Sequence, residues 1–239
     1  IPKAFKGHMG VIQRNAIESW KRLGSECQVI LIGDDPGTAE VAKEQGVTNI
    51  PHVQRNEFGT PLLDSAYQLA EDAARNPYLC YVNADIILTS SLIDAFQLAR
   101  RRSASFFMTA RRWDYSQDTL LEYDENWEER LLKDVYANGK LAHFSAIDFW
   151  VYPKGLLEGM PPLAVGRIAF ESWCLYRARQ RKADVIDSTN LVVSIHQDHD
   201  YSHHPDGELG IGTGIEAQRN RAMVGGSPYF FCIRDRTHK

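Results

Sequence analysis

One apolar stretch, residues 78–88, constrains this chain more than any other, and only Asn83 and Asp85 interrupt it. A run this apolar is typical of a strand buried on both faces in a parallel sheet. An unpaired carboxylate inside such a strand is costly. We therefore expect the strand to end near Val82 and Asp85 to project from its carboxyl end, where ligands bind in open α/β sheets. The alternative is an Asp that caps the following helix.

The first half of the chain alternates strand and helix with short connections, which predicts a doubly wound α/β fold. The chain begins Ile1-Pro2-Lys3, which resembles the end of a strand, so a truncated first strand is expected. Helices are predicted over residues 11–23, 38–45, 61–75 and 90–102, and strands over 28–33, 47–51 and 78–82. In the later part of the chain, the residue pattern predicts strands over 105–110, 147–152, 185–186, 191–195 and 229–233, and helices over 127–135, 170–180 and 216–223.

These elements predict one α/β domain spanning residues 1–239. We expect a doubly wound, mostly parallel central sheet with helices on both faces and a smaller acceptor-side region. Residues 1–103 are interpreted as a nucleotide-binding half, and residues 104–239 as an acceptor-binding and catalytic half. The charged segment 115–143 is interpreted as an excursion over the active face.

Composition excludes several classes of protein. The chain has 239 residues, 44% of them hydrophobic, and a net charge of −4 without a basic stripe, so a nucleic-acid partner is not expected. It contains neither about 18 consecutive apolar residues nor a signal peptide, so no transmembrane segment is predicted and a cytoplasmic or membrane-peripheral location is expected. The four cysteines have no Cys-x-x-Cys spacing, which indicates reduced, mostly buried thiols.

Three features together resemble the metal-dependent GT-A glycosyltransferases. They are the α/β half ending in Asn83-Ala84-Asp85, an acid among aromatics at Phe170-Glu171-Ser172-Trp173, and a histidine after a late strand, His196. The resemblance implies a UDP- or GDP-linked sugar donor, a carbohydrate acceptor and a divalent metal on the donor diphosphate. It makes Asn83-Ala84-Asp85 the counterpart of the family's Asp-x-Asp motif. Asn83 departs from that motif at the position that usually contacts ribose or sugar.

The resemblance assigns Asp85 and His196 as metal ligands. A mixed carboxylate and imidazole set favours Mn²⁺, whereas Mg²⁺ prefers oxygen. The alternative for His196 is a surface histidine in a polar loop, but residues 196–204 hold several candidate ligands. Among these, His199 is expected to order the loop or to contact acceptor or phosphate, as are the aspartates at 198 and 200.

Several residues are expected to bind the nucleotide sugar. Asp34 would accept hydrogen bonds from the base or ribose, although an ordinary Asp-Pro-Gly turn explains it equally well. Arg55 could pair with phosphate and Thr60 could bind ribose or base; the alternative is a solvated arginine beside a capped helix. Asn83 and Ala84 would lie along the ribose, where the small Ala84 lets the ligand approach.

Glu171 is expected to be the catalytic base of an inverting reaction, in which one carboxylate takes the proton of the acceptor hydroxyl. Burial beside Phe170 and Trp173 would raise its pKa, and the helix dipole would lower it. The structural alternative is a helix-start acid stabilised by that dipole. In a retaining enzyme, Glu171 would contact the donor sugar instead.

Further acceptor or sugar contacts are predicted from the later strands. Asp148 could bind sugar hydroxyls, and Trp113 and Trp173 could stack on sugar faces, although a core role is commoner for a lone tryptophan. Arg111 and its neighbour Arg112 could pair with Asp148, Glu171 or the diphosphate.

Other functions remain open from the sequence. They are a sugar-nucleotide nucleotidyltransferase, a metallohydrolase built on residues 196–204, and a non-catalytic sugar-binding module. The glycines at 210, 212 and 214 do not follow a strand, so they are not a dinucleotide fingerprint. They are interpreted as a loop that closes over donor or acceptor.

Overall fold

A computed structural model of the chain describes residues 1–199, 212–225 and 231–239. The helices are α1 (Gly7–Lys21), α2 (Thr38–Gln45), α3 (Leu63–Ala73), α4 (Ser91–Arg102), α5 (Trp127–Asn138), α6 (Phe170–Gln180) and α7 (Ile215–Met223). The first five strands are β1 (Ile30–Ile32), β2 (Thr48–Ile50), β3 (Tyr78–Val82), β4 (Ile86–Leu88) and β5 (Phe106–Thr109). The other five are β6 (Trp113–Tyr115), β7 (Lys140–Leu141), β8 (Phe149–Pro153), β9 (Asp184–Asp187) and β10 (Ser194–Gln197).

The α/β class is confirmed, but the described sheets are mixed rather than mostly parallel. The strand orders are β1-β2, β4-β10-β6-β7 and β3-β8-β5-β9. Of the described pairings, β1·β2, β10·β6 and β5·β9 are parallel and the other four are antiparallel. The link between β3 and β4 is too short for the two strands to be parallel neighbours, because that arrangement needs a crossover of a dozen or more residues. They lie in different sheets.

The strand after residue 77 ends at Val82, as predicted, but it is not buried on both faces. All of β3 is half-buried except Cys80, which is exposed. One edge of β3 pairs with β8, and across its other edge a cavity of about 660 Å³ is lined by residues of both β1 and β3. Cys80 faces this space, which corrects the expectation of a buried thiol. The truncated first strand stays a prediction.

Three hydrophobic clusters form the core of the described residues. In one, Tyr81 of β3 stacks on Trp150 of β8 with ring centroids 4.4 Å apart, and Phe170 of α6 packs against both rings. The Trp150 indole N–H donates to the Tyr67 hydroxyl at 2.8 Å, so its polar atom is satisfied inside the core. This packing fixes α6, and with it Glu171, against the end of β3.

Buried polar contacts fix the loop after β3 against α1 and β10. The Gln197 side chain donates to the backbone carbonyls of Ile12 at 2.8 Å and Asp85 at 3.0 Å. It also accepts a hydrogen bond from Asn15 at 2.9 Å. The Trp20 indole donates to the Ile86 carbonyl at 2.9 Å. Because these groups are buried and paired, the backbone that carries Asp85 is held rigidly.

Two predictions from the end of the chain have different outcomes. The predicted strand over 229–233 is wrong where it can be compared, because Ile233 begins a 3₁₀ helix that ends at Asp235. Residues 229 and 230, Gly210 of the predicted glycine loop and the whole stretch 200–204 lie outside the described residues. Within the described part of the chain, every helix is too short or too polar to cross a membrane.

Candidate functional site

An acid and two imidazoles meet at the carboxyl end of β3. Asp85 immediately precedes β4, and the antiparallel register of β4 and β10 sets His196 opposite Ile86. The His196 Nε2 atom lies 3.8 Å from Asp85 Oδ2, and His199 Nε2 lies 3.1 Å from the same oxygen. Each of the three residues offers one possible ligand atom, and these three atoms all lie within 4.8 Å of one another. The three side chains therefore form a compact N₂O set of the kind that holds a divalent metal.

A second acidic pair lies on the other side of the His196 ring. The parallel pairing of β6 and β10 sets Asp114 beside His196. Asp114 Oδ1 and Asp198 Oδ1 each lie 3.6 Å from His196 Nδ1. Carboxylates that face the second nitrogen of a ligating histidine orient its ring and raise its basicity. Asp114 and Asp198 are placed to act on His196 in this way.

One unsatisfied atom at Asp85 fits the binding of a cation there. Within the described residues, Asp85 Oδ1 and His196 Nδ1 are buried and make no hydrogen bond, but His196 Nδ1 faces Asp114 and Asp198 rather than Asp85. Burial alone would raise the pKa of Asp85, but the His199 hydrogen bond and the nearby His196 outweigh it and lower that pKa. Asp85 is thus held as an anion with one oxygen unpaired, which is the form that coordinates metals.

A hydrogen-bonded chain connects the motif to strand β8. The Tyr81 hydroxyl donates to Asn83 Oδ1 at 3.0 Å, and Asn83 Nδ2 donates to Asp148 Oδ1 at 2.6 Å. Arg112 binds the other oxygen of Asp148 at 2.8 Å and Asp114 at 2.8 Å. Burial raises the pKa of Asp148 despite the opposing charge of Arg112. Both oxygens of Asp148 are engaged, so its role is to hold Asn83 and Arg112 in place.

Glu171 lies in the first turn of α6 beside this chain. Burial raises the pKa of its carboxyl to about 8, against its own backbone hydrogen bond, and the nearby Asp148 adds to the rise while Arg112 opposes it. A carboxyl with a pKa near neutrality is suited to proton transfer. Sequence reasoning foresaw the burial of Glu171 but not how far it outweighs the helix dipole.

The predicted nucleoside contacts gather at the ends of β1 and β2. Arg55 pairs with Asp34 at 2.6 Å and with Asp35 at 3.0 Å, and it also donates to the Gly59 carbonyl at 2.8 Å. The structure therefore brings Asp34 and Arg55 together, although each is engaged with the other. Ala84 lies between Asn83 and Asp85 in the loop that follows β3.

Thr60 takes part in a contact that the sequence did not reveal. Glu216 of α7 accepts hydrogen bonds from Asn56 and Thr60 and pairs with Arg167 at 2.7 Å. These contacts lower the pKa of Glu216 in spite of its burial. They dock α7 onto the loop that carries Arg55.

Three predicted sugar contacts have other surroundings. Trp173 is 8% exposed and belongs to the hydrophobic core, so stacking on a sugar is not supported. The Trp113 ring packs edge-on against the Tyr136 ring, with ring centroids 5.3 Å apart. Arg111 turns to the Ala142 carbonyl and does not pair with Asp148. Helical and strand periodicity did not separate core aromatics from ligand-binding ones.

Sequence reasoning missed two residues near Asp85 and His196, which are Lys3 and Asp114. Lys3 is largely buried, which lowers its pKa to about 8, and its charge interacts with Asp85 and Arg167. Asp114 was not singled out, although it follows Arg112 on a predicted strand end. The position of Lys3 after a strand-like Ile1-Pro2 was the available signal, because phosphate-binding groups often follow strand ends.

Comparison with known proteins gives limited information. No family model matches the chain, and no curated protein matches it. The chain is similar to the crystal structure of S. aureus TarS 1-349 in complex with UDP-GlcNAc, with 11% identity, a TM-score of 0.47, and coverage of 79% of this chain and 57% of that one. A second crystal structure of S. aureus TarS 1-349 gives 11% identity, a TM-score of 0.45 and coverage of 81% and 56%.

The chain thus spans just over half the length of those TarS chains. Likenesses of this strength do not identify a family.

Proposed function

We propose that this protein is a metal-dependent glycosyltransferase that moves a sugar from a nucleoside diphosphate donor to a carbohydrate acceptor. The observation that carries the proposal is the Asp85, His196 and His199 cluster at the carboxyl end of β3. Such an edge of an α/β sheet is where nucleotides bind. A buried carboxyl with a raised pKa, Glu171, lies on the adjoining helix start.

Asp85, His196 and His199 would hold the cation. Two imidazoles and one carboxylate favour Mn²⁺ over Mg²⁺. When bound, the cation would neutralise the negative charge that develops on the departing diphosphate. The sequence predicted a contact of His199 with acceptor or phosphate. We propose instead that His199 is a metal ligand, because its Nε2 atom lies closer to Asp85 Oδ2 than the Nε2 atom of His196 does.

The chain's own cations would bind the diphosphate. Lys3 is close enough to both Asp85 and Arg167 for its charge to interact with theirs. Because Arg167 is already paired with Glu216, it would bring α7 with it toward the donor. Asp34, Arg55 and Thr60, on the neighbouring loops, would face the nucleoside, and Asn83 and Ala84 would line the ribose.

Glu171 would accept the proton of the acceptor hydroxyl as it attacks the anomeric carbon, giving inversion. With a pKa of about 8, the carboxyl is mostly protonated at pH 7 in the free protein. We expect kcat/KM to rise with pH up to about 8, because only the ionised carboxylate acts as a base. Asp148 would fix the position of Asn83 and Arg112 rather than bind sugar itself.

The test is thermal stability of the chain with UDP or GDP, with and without Mn²⁺. A ligand at a hundredfold excess over its Kd stabilises the folded state by about 2.7 kcal/mol. We expect this gain for one nucleotide, only with Mn²⁺, and its loss in Asp85→Asn. Asp124→Asn is the matched control, because Asp124 is an exposed aspartate paired with Arg130.

Other outcomes would point elsewhere. Stabilisation by Mn²⁺ alone, unchanged by nucleotide, would favour the metallohydrolase. Equal stabilisation by nucleotide in Asp85→Asn would contradict the metal-linked donor site. Once a donor is identified, NMR of the new anomeric centre in the product decides between inversion and retention.

A further inference from the structure

A second cavity, of about 340 Å³, lies apart from Asp85 and His196. Its wall carries the guanidinium groups of Arg111, Arg234 and Arg236, together with His143 and Lys239. Arg111 is the sequence-predicted sugar contact that the candidate site does not use. Three guanidinium groups around one cavity are unexpected in a chain whose net charge is −4.

The positive charge of this cavity is hardly neutralised by the described chain. Asp187 is the single carboxylate side chain on its wall. Asp187 is 8% exposed, accepts a hydrogen bond from the Thr189 backbone at 3.0 Å and lies 3.5 Å from Arg236 Nε. The neighbouring Asp235 is engaged in capping the Cys232 backbone N–H at 2.8 Å. Two of the three guanidinium groups are therefore left without a carboxylate.

Arg111 and Arg236 are half-buried, and Arg234, although exposed, packs on an aromatic ring. Arg111 donates from Nε to the Ala142 carbonyl at 2.8 Å, which leaves further N–H groups of its fork available. The Arg234 guanidinium lies 3.5 Å above the Phe144 ring. Within the described residues, Arg234 makes neither a side-chain hydrogen bond nor an ion pair. Donors fixed by packing lose little entropy when they bind an anion.

The cavity and the candidate active site flank the same segment of backbone. Arg111 lines the cavity, and the next residue, Arg112, binds Asp148 at 2.8 Å. The Ala142 and Ala146 backbones both bond to the Arg112 backbone, at 3.0 and 3.2 Å. A ligand in the cavity is thus one residue away from the Asn83 and Asp148 network.

We propose that this cavity binds a phosphate group, separate from the diphosphate of the sugar donor. Guanidinium forks match the oxygens of phosphate in pairs, and several forks around one site suit a group with oxygens in all directions. Phosphate offers more oxygens than a carboxylate, so it can accept hydrogen bonds from more of these donors at once. The binding does not depend on metal at Asp85, so it stands or falls independently of the proposed transferase activity.

The test uses the ¹⁵N-labelled chain and follows the arginine Nε–H signals during titration with inorganic phosphate. We expect saturable shifts of the Arg111, Arg234 and Arg236 signals, and no saturation with chloride at the same ionic strength. Arg234→Gln is expected to weaken phosphate binding about tenfold, because it removes a charged hydrogen-bond donor. Arg130→Gln, an exposed arginine paired with Asp124, is the control and should not change the affinity.

Two further variants complete the test. Arg111→Gln supplies a second variant should Arg234→Gln fold poorly, and it is expected to weaken phosphate to a similar degree. Asp85→Asn should bind phosphate in the cavity as the unmodified chain does, even if nucleotide binding with Mn²⁺ fails. The proposal would be overturned if the signals shifted linearly with phosphate concentration and the Arg130 signal shifted with them. It would also be overturned if citrate, but not phosphate, gave saturation.

Discussion

Replacing Glu171 by glutamine should make the folded state more stable at high pH. The environment raises the pKa of Glu171 from 4.5 to about 8, so folding opposes its ionisation. The stability that the protonated carboxyl provides is fully present below pH 4.5 and is lost as pH rises toward 8 and beyond. Glutamine removes the ionisation and keeps nearly the same shape, so this loss should disappear in the variant.

The size of the effect follows from the pKa. At 1.36 kcal/mol per unit of pKa, the full rise corresponds to about 5 kcal/mol. Water reaches part of the half-buried side chain, so we expect roughly 2 to 3 kcal/mol. Four groups interact with Glu171 electrostatically: Asp148, Arg112, Tyr81 and Cys174. All four are retained in the variant, and their titration cancels in the comparison.

The assay is urea unfolding of both proteins at pH 5, 7 and 9. Glu171→Gln should match the unmodified chain at pH 5 and exceed its free energy of unfolding at pH 9, while losing transferase activity. Glu125→Gln, at an exposed position, should follow the unmodified chain throughout. If the free energies of unfolding of Glu171→Gln and of the unmodified chain changed with pH in parallel, the reasoning would be refuted. The surroundings would then not disfavour ionisation of the Glu171 carboxyl.

Two further predictions concern the metal cluster and the buried ion pair. His199→Ala should weaken Mn²⁺ binding at least tenfold in an EPR titration, because one of three ligands is lost; an unchanged affinity would leave His199 outside the cluster. Arg112→Met should cost about 3 to 5 kcal/mol in urea unfolding, because it leaves the Asp148 charge buried and unpaired, and adding Asp148→Asn should recover part of this loss.

Local pattern predicted the early elements well. The helix over 38–45 and the helix over 170–180 have the predicted bounds, and the strand before Asp85 ends at Val82 as expected. Each is set by signals within a few residues, such as Gly37 and Gly46 on either side of α2, both with positive φ. Glu171 was placed at a helix start for the same reason.

Strand pairing could not be predicted in this way. β8 pairs antiparallel with both β3 and β5. Its partners in β3 are 65 or more residues away in the sequence, and its partner in β5 is about 40 residues away. Hydrophobic periodicity identifies a strand and its buried face, but it does not say which strand lies beside it. The expectation of a mostly parallel sheet came from the alternation of strand and helix in the first half of the chain, and that alternation does not specify which strands pair.

The sequence by itself determined that this chain alternates helix and strand and that an aspartate follows a strand where ligands bind. Those features depend on apolar periodicity and on residues within one turn of each other. Tertiary structure alone decided that His196 and His199 meet at Asp85, that Asp114 lies beside His196, and that Arg111 faces a cavity with Arg234. Such groups come together through the register of β10 between β4 and β6 and through packing across the fold, which no local pattern encodes.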